Sequence, residues 1–187
     1  AQRCKVSFEI LISSLRLCVF AGENAVMEEL RRLTFERAIK LLTARPRSVG
    51  ELRERLLKLR GTNEEVVEAV IARLREYGYL NDERFAFSYA SYRVKQKPIG
   101  RRRLEQDLKF KKVDSSVADE ALDMVFCETP EEQLIDEAIA KRLRIRGKPK
   151  NRLEAKSLFE HLVRQGFEFE LVRERVRSLA NDYADED

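Results

Sequence analysis

Tyr77-Gly78-Tyr79-Leu80-Asn81-Asp82-Glu83-Arg84-Phe85-Ala86 closes one helix, turns, and opens the next with no linker between them. Ahead of it, Val67, Val70, Ile71 and Leu74 recur at the spacing that lays apolar side chains along one face of an α-helix. Gly78 follows that series, where a helix C-terminus favours a residue able to take positive φ. Asp82 stands in the place of an N-cap before Phe85, Ala86, Tyr89 and Ala90, which share one face of a second helix. A turn of this kind is ordinary in helical proteins. Its weight comes from the units on either side, which resemble each other and so read as internal repeats.

The first unit spans residues 27–81. Leu30, Leu33, Ala38, Leu41 and Leu42 alternate with Arg and Glu until Arg45-Pro46-Arg47 stops the helix. Ser48-Val49-Gly50-Glu51 reads as a capping box, opening a helix that buries Leu52, Leu56 and Leu59. Gly61 ends it, Thr62-Asn63-Glu64-Glu65 reads as a second capping box, and a third helix runs to Tyr77.

Residues 82–128 repeat the order: a helix to about Lys95, a break at Lys97-Pro98-Ile99-Gly100, a helix carrying Leu104 and Leu108, and a last helix capped by Asp114. Laid over the first unit, Val67, Val70, Ile71 and Leu74 fall on Ala118, Ala121, Leu122 and Val125, so every inner position stays apolar. The third unit, residues 129–180, opens at Thr129-Pro130-Glu131-Glu132, with Thr as N-cap and Pro at the first helical position. Leu134, Ile135, Ala138 and Ile139 form its inner face, Gly147-Lys148-Pro149-Lys150 breaks the helix, Asn151 caps the next, and Gly166 ends that one as Gly61 does. In the final helix Val172, Val176 and Leu179 match Val67, Ile71 and Leu74, while Arg175 replaces Val70, the more polar pattern expected of a terminal repeat.

Among the 187 residues 37% are charged, with no Trp, seven Gly and four Pro, a balance that favours long amphipathic helices over sheet. The expected fold is all-α: an elongated, right-handed or curved array of three tandem three-helix repeats, monomeric. Residues 1–26 form an N-terminal extension. Within it Phe8, Leu11, Ile12, Leu15, Cys18 and Val19 fit a helix, while Val6, Phe8, Ile10 and Ile12 fit a strand, and both readings stay open. Glu9 and Arg16 interrupt any secretory h-region there. Residues 181–187 are an acidic tail. Three cysteines without a close pair suggest neither a disulfide framework nor a zinc site, and point to a reducing, cytoplasmic setting. No apolar run of about 18 residues is present, so no membrane span is expected.

Enzyme signals are poor. The chain has no Gly-x-x-x-x-Gly-Lys loop, no His-Glu-x-x-His and no Cys-x-x-Cys, and its single histidine, His161, reads as a packing or surface residue. No catalytic, cofactor or metal residue is assigned. The carboxylates sit at helix starts and on exposed faces, where capping and macrodipole effects account for them.

The net charge of +4 is small but unevenly placed. From Arg93 to Lys112 there are nine basic and two acidic residues, and from Lys141 to Lys156 eight basic and one acidic. Arg93, Lys95, Lys97, Arg101, Arg102, Arg103, Lys109, Lys111 and Lys112 occupy the break and middle helix of the second repeat; Arg142, Arg144, Arg146, Lys148, Lys150 and Arg152 occupy the same place in the third. At equivalent positions of stacked repeats the two blocks should form one basic stripe, able to track a phosphate backbone or an acidic protein groove. The alternative for each block is a solvated helix face. Tyr77, Tyr79, Tyr89 and Tyr92 lie near the first block, where base stacking is conceivable, although core packing suits Tyr89 better.

The run from Gly78 to Ala86, the Ser48-x-x-Glu51-Leu52 start of the first repeat and the Gly100-x-x-x-Leu104-x-x-x-Leu108 pattern of the second resemble the RecX family of bacterial regulators over residues 34–180. One departure is Lys111-Lys112-Val113, where the family has Lys-Gly-Ile. Either that turn differs or Lys112 takes the left-handed conformation at a cost of about 1 kcal/mol. The resemblance implies a non-enzymatic regulator of homologous recombination and the SOS response. It would bind the RecA filament on single-stranded DNA, could touch DNA directly, and would inhibit filament growth, ATP hydrolysis and strand exchange. The competing reading is a helix-turn-helix-like module acting on DNA itself. No single helix concentrates Arg, Asn and Gln for base reading, which weighs against sequence-specific recognition.

Overall fold

A computed structural model describes residues 25–181; the readings placed on residues 1–22 and on the tail from residue 182 onward lie outside the described residues. The described chain is helical throughout, without strands: α1 (25–44), α2 (Val49–Leu57), α3 (Glu64–Glu76), α4 (Asp82–Gln96), α5 (Arg101–Phe110), α6 (Ser115–Glu128), α7 (Glu131–Arg146), α8 (Arg152–Arg164) and α9 (Phe169–Asn181). It divides into two compact units, Ala1–Leu80 and Asn81–Asp187.

In the first unit, Ala38 of α1, Leu52 and Leu56 of α2, and Val66, Val67, Val70, Ile71 and Leu74 of α3 form one core, which Leu80 completes from the following turn. Leu33, expected on the inner face of α1, is 38% exposed, and Phe35 and Ile39 pack against the core instead. The second unit has a single core shared by six helices. Ala86, Leu104, Leu108, Leu122, Ile135, Leu162 and Phe167 are all fully buried there. Each large side chain removed from water contributes about 1.5–3 kcal/mol before conformational entropy is counted. Arg175, which stands where Val70 stands in the first unit, reaches Asp136 of α7 at 3.0 Å rather than entering the core.

The helix ends explain the family-like motif. Gly78, at φ 71, donates its N–H to Arg75 O, and Tyr79 N–H goes to Leu74 O, both at 2.9 Å, the paired bonds of a Schellman motif. Leu80 then drops into the core and Asn81 caps α4, its side chain accepting from Arg84 N at 2.7 Å. Asp82 is therefore the first helical residue, not the cap, because the Schellman turn uses up the residues before Leu80. A one-residue displacement in the opposite direction occurs at α3, where Asn63 rather than Thr62 accepts from Val66 N at 2.9 Å. Thr62 N–H is drawn back to Leu59 O, which leaves it in the preceding turn. At α7 it recurs: Pro130 is the cap and makes no side-chain bond, while Thr129 ends α6 by donating to Val125 O. Ser48, Asp114 and Asn151 cap as expected.

Lys112 lies at φ 59 and closes α5 with the same bonds, Lys112 N–H to Lys109 O and Val113 N–H to Leu108 O. Gly166 closes α8 identically, through Val163 O and Leu162 O. The turn thus has one form in the two helices, and lysine adopts the left-handed conformation that glycine takes at the equivalent site.

Where α5 begins and α8 ends, backbone meets backbone. Gly100 N–H donates to Gln165 O and Arg102 N–H to Gly166 O, both at 3.1 Å. A Cβ on Gly100 would collide with the Gly166 carbonyl and the Phe167 amide, and one on Gly166 would collide with Arg103. Gly100 caps α5 without a side chain, and Glu131 of α7 supplies the missing acceptor, taking Arg101 N–H at 3.1 Å. Burial raises the Glu131 carboxyl above its ordinary range, against the lowering effect of that bond.

Candidate functional site

The break before α5 and the end of α8 bring cationic side chains from distant parts of the chain around one histidine. Arg93 and Lys97 from the end of α4, Arg103 from α5, and His161, Arg164 and Gln165 from α8 wall a cleft of about 350 Å³. A second cleft of about 390 Å³ lies along the end of α7, lined by Arg142, Arg146, Lys148 and Lys150 with Glu154, Ser157 and Leu158 of α8; Glu154 accepts from the Lys150 backbone N–H at 2.8 Å. The charges of Arg142 and Arg146 reach His161, as do those of Lys97 and Arg164.

These cations are not equally available. Asp107 accepts from Arg93 at 2.9 Å and pairs with Arg103 at 3.4 Å. Arg101 is turned toward α6, where Asp123 at 2.6 Å and Glu105 at 3.3 Å hold it; burial opposes its charge, but these bonds outweigh that and raise its pKa. Lys111 sits over the Tyr89 ring at 6.0 Å. Lys95, Arg102, Lys109 and Lys112 are exposed on α4, α5 and its terminal turn, and Arg144 and Arg152 are exposed outside the two clefts. Lys97, Arg142, Arg146 and Arg164 form no ion pair with an acid among the described residues. Burial and the neighbouring charges of Arg146 and Arg164 lower the pKa of Arg142.

His161 registers the resulting field. Burial pushes its imidazole below the ordinary value, and the charges of Arg142, Arg164, Lys97 and Arg146 push it further. Its Nε2 lies 2.8 Å from Gln165 Nε2, an amide donor facing the lone pair of a neutral ring. Gln165 Oε1 and Arg93 Nε are left buried without hydrogen-bond partners among the described residues.

Local charge density in the sequence singles out Arg93, Lys97, Arg103, Arg142, Arg146, Lys148 and Lys150, all of which line the two clefts. It missed Arg164, which lies beyond the basic run, and gave His161 no part. The usable signal was spacing: His161, Arg164 and Gln165 stand at i, i+3 and i+4 on one face of α8. The residues from Gly78 to Ala86 serve the turn: Asp82 and Glu83 lie in the first turn of α4, Phe85 stacks on Tyr89 with centroids 6.0 Å apart, and Ala86 is buried. In the first unit Tyr77 and Tyr79 are exposed and meet edge to face, and Arg73 lies over both Tyr77 and Phe35.

No group of His, Cys, Asp and Glu among the described residues could hold a metal ion, and no described helix is long and apolar enough to cross a membrane.

Models of the first and second three-helix domains of RecX match residues 35–74 and 81–122. The protein named Regulatory protein RecX in Prosthecochloris aestuarii is 32% identical over 148 residues, which cover 79% of this chain and 94% of that protein. The chain belongs to the RecX family. A second Regulatory protein RecX, from Treponema pallidum strain Nichols, is 39% identical over 110 residues, 59% of this chain; the match spans 66% of that relative's length, just under two thirds. The crystal structure of RecX from Lactobacillus salivarius superposes with a TM-score of 0.71 at 18% identity, covering 80% of this chain and 96% of that one, a likeness of fold. The two matches fall on α1 to α3 and on α4 to α6, each a run of three helices.

Proposed function

We propose that this chain is a cytoplasmic, monomeric, non-enzymatic regulator of homologous recombination and the SOS response that binds the RecA nucleoprotein filament on single-stranded DNA. Bound there, it restrains filament growth, ATP hydrolysis and strand exchange. RecA as the target rests on membership of the RecX family and on relatives named as regulatory proteins. The observation within the chain that carries the reading is the group Lys97, Arg142, Arg146 and Arg164 around His161. None of the four is ion-paired to an acid among the described residues, and Glu154 is the one carboxylate lining the two clefts, so the group carries a positive excess that favours a polyanionic partner. With Arg103, the basic side chains lining the clefts come from four helices, α4, α5, α7 and α8, rather than from one recognition helix, which suits a partner read by shape and charge rather than by base sequence.

The test is to titrate the protein against preformed RecA filaments on single-stranded DNA, with and without excess competitor duplex, following ATP hydrolysis. Inhibition below one copy per RecA that survives added duplex is expected. Inhibition that disappears in proportion to the duplex, with tight sequence-selective binding to it, would favour the helix-turn-helix-like alternative.

A further inference from the structure

We propose that the cleft between α4, α5 and α8 is a phosphate-binding site that takes a backbone phosphate of nucleic acid, with Lys97, Arg103, Arg164 and His161 as its donors. The proposal rests on the reading of this face as the docking surface, and it names the group met there as phosphate rather than a protein carboxylate.

The argument starts from the direction of the donors. Lys97 enters from the end of α4, Arg103 from α5, and His161 and Arg164 from α8, so they converge on the 350 Å³ cleft from different sides. A planar carboxylate presents two oxygens in one plane, whereas a tetrahedral phosphate can accept from donors arranged around it. The space would hold about ten waters, enough for a phosphate with part of its flanking sugar. Charge points the same way. Among the described residues Asp107 is the carboxylate that engages these cations, it is shared by Arg93 and Arg103, and Lys97 and Arg164 pair with none.

His161 makes the site responsive to proton concentration. The groups that face it are Lys97 from α4, Arg142 and Arg146 from α7, and Arg164 and Gln165 from α8, with Arg93 and Arg103 lining the same cleft. All the charged ones are positive, and after burial they are what keeps the imidazole below its ordinary pKa. An anion in the cleft offsets that field, so the ring takes up a proton from solvent as the phosphate binds. Gln165 can follow, because rotating its amide turns the unpartnered Oε1 toward the new Nε2–H.

The experiment uses the full chain and a short fluorescein-labelled oligothymidylate, with a peptide nucleic acid of the same bases as an uncharged control and no RecA present. Binding to the oligonucleotide and none to the uncharged analogue is expected. Lys97→Gln and Arg164→Gln should each weaken binding about three- to tenfold and make the logarithmic salt slope on this single strand shallower by about 0.7. His161 is the only histidine, so its imidazole proton signals are unambiguous. Adding the oligonucleotide should shift them and raise the apparent pKa, and binding should strengthen as pH falls through that titration. His161→Gln should remove the pH dependence while circular dichroism stays unchanged. Unmoved His161 signals, or full affinity in both Lys97→Gln and Arg164→Gln, overturn the proposal. Variants that keep oligonucleotide affinity but lose inhibition of RecA filaments also overturn it, assigning these cations to acidic protein groups and leaving the regulatory reading intact. Oligonucleotide binding that behaves as expected in a protein with no effect on RecA filaments would support the cleft and sink the regulatory reading alone.

Discussion

Gly100 and Gly166 lie back to back, so close that neither position has room for a β-carbon. The contact joins the N-terminus of α5 to the C-terminus of α8, and it places Lys97 and Arg103 opposite His161 and Arg164. Gly166 carries a second demand, a φ of 90, whereas Gly61 takes a φ of 80 with open space around it. The two glycines therefore separate steric from conformational cost. Gly61→Ala should destabilise by about 1–2 kcal/mol, the left-handed penalty alone. Gly166→Ala should exceed that by a further ~1–3 kcal/mol of overpacking, and Gly100→Ala should show the overpacking part. Urea unfolding followed by circular dichroism checks the order, and equal losses at Gly61 and Gly166 would refute the close-packed joint.

Lys112 supplies the complementary case. Its φ of 59 is imposed by the Schellman turn that Gly166 makes without strain. Lys112→Gly removes the left-handed penalty and adds some unfolded-state entropy, so the expected net effect is a gain of up to about 1 kcal/mol. A fall in the urea midpoint would mean that the lysine side chain contributes more than its backbone costs.

Leu108 is fully buried in the core of the second unit. Leu108→Asp places an unpaired charge there, at a cost of several kcal/mol. Hydrogen exchange should show loss of protection across α4 to α9, since these helices share that core. Protection lost in α5 alone would show that the helices do not fold as one cooperative body.

These contrasts mark what was legible in the chain. The helices followed from apolar spacing, because one buried face suffices to define each of them. The caps were displaced by one residue at Asn63 and Asn81, because Thr62 and Asp82 are also good caps by type, and only the geometry of the preceding turn chooses between them. The Gly100–Gly166 joint was invisible, since each glycine already had a local explanation as a helix stop. The cation group was half visible: Arg142 and Arg146 stood out as a run, whereas Arg164 stands alone in sequence and gains its role from the fold. Arg101 looked the equal of its neighbours, and only the fold reveals Asp123 beside it.

Acid should weaken the fold through His161. Its pKa is depressed in the folded chain, so between that value and the ordinary value of 6.5 the unfolded chain binds more protons. Stability is therefore at its full level above about pH 6.5 and declines as pH falls through the folded pKa, where the difference saturates. In His161→Gln this part of the pH dependence should flatten. A stability curve that is identical in both proteins between about pH 5 and 7 would remove His161 as its source.

The last expectation sets Arg101 against Arg164. Both are arginines of the second unit, but Arg101 is already engaged by Asp123 and Glu105, while Arg164 faces the cleft with no acidic partner among the described residues. A polyanionic partner has to compete with two carboxylates for Arg101 and with water alone for Arg164. Arg101→Ala should cost at most about 1 kcal/mol of stability, since exposed pairs contribute little, and should leave inhibition of RecA filaments nearly unchanged. Arg164→Ala should leave stability within about 0.5 kcal/mol and raise the concentration needed for half inhibition several-fold. The measurement is ATP hydrolysis by RecA filaments titrated with each variant, alongside urea unfolding. Should Arg101→Ala impair inhibition and Arg164→Ala not, the docking face would lie on the α5 and α6 side of the unit, away from His161.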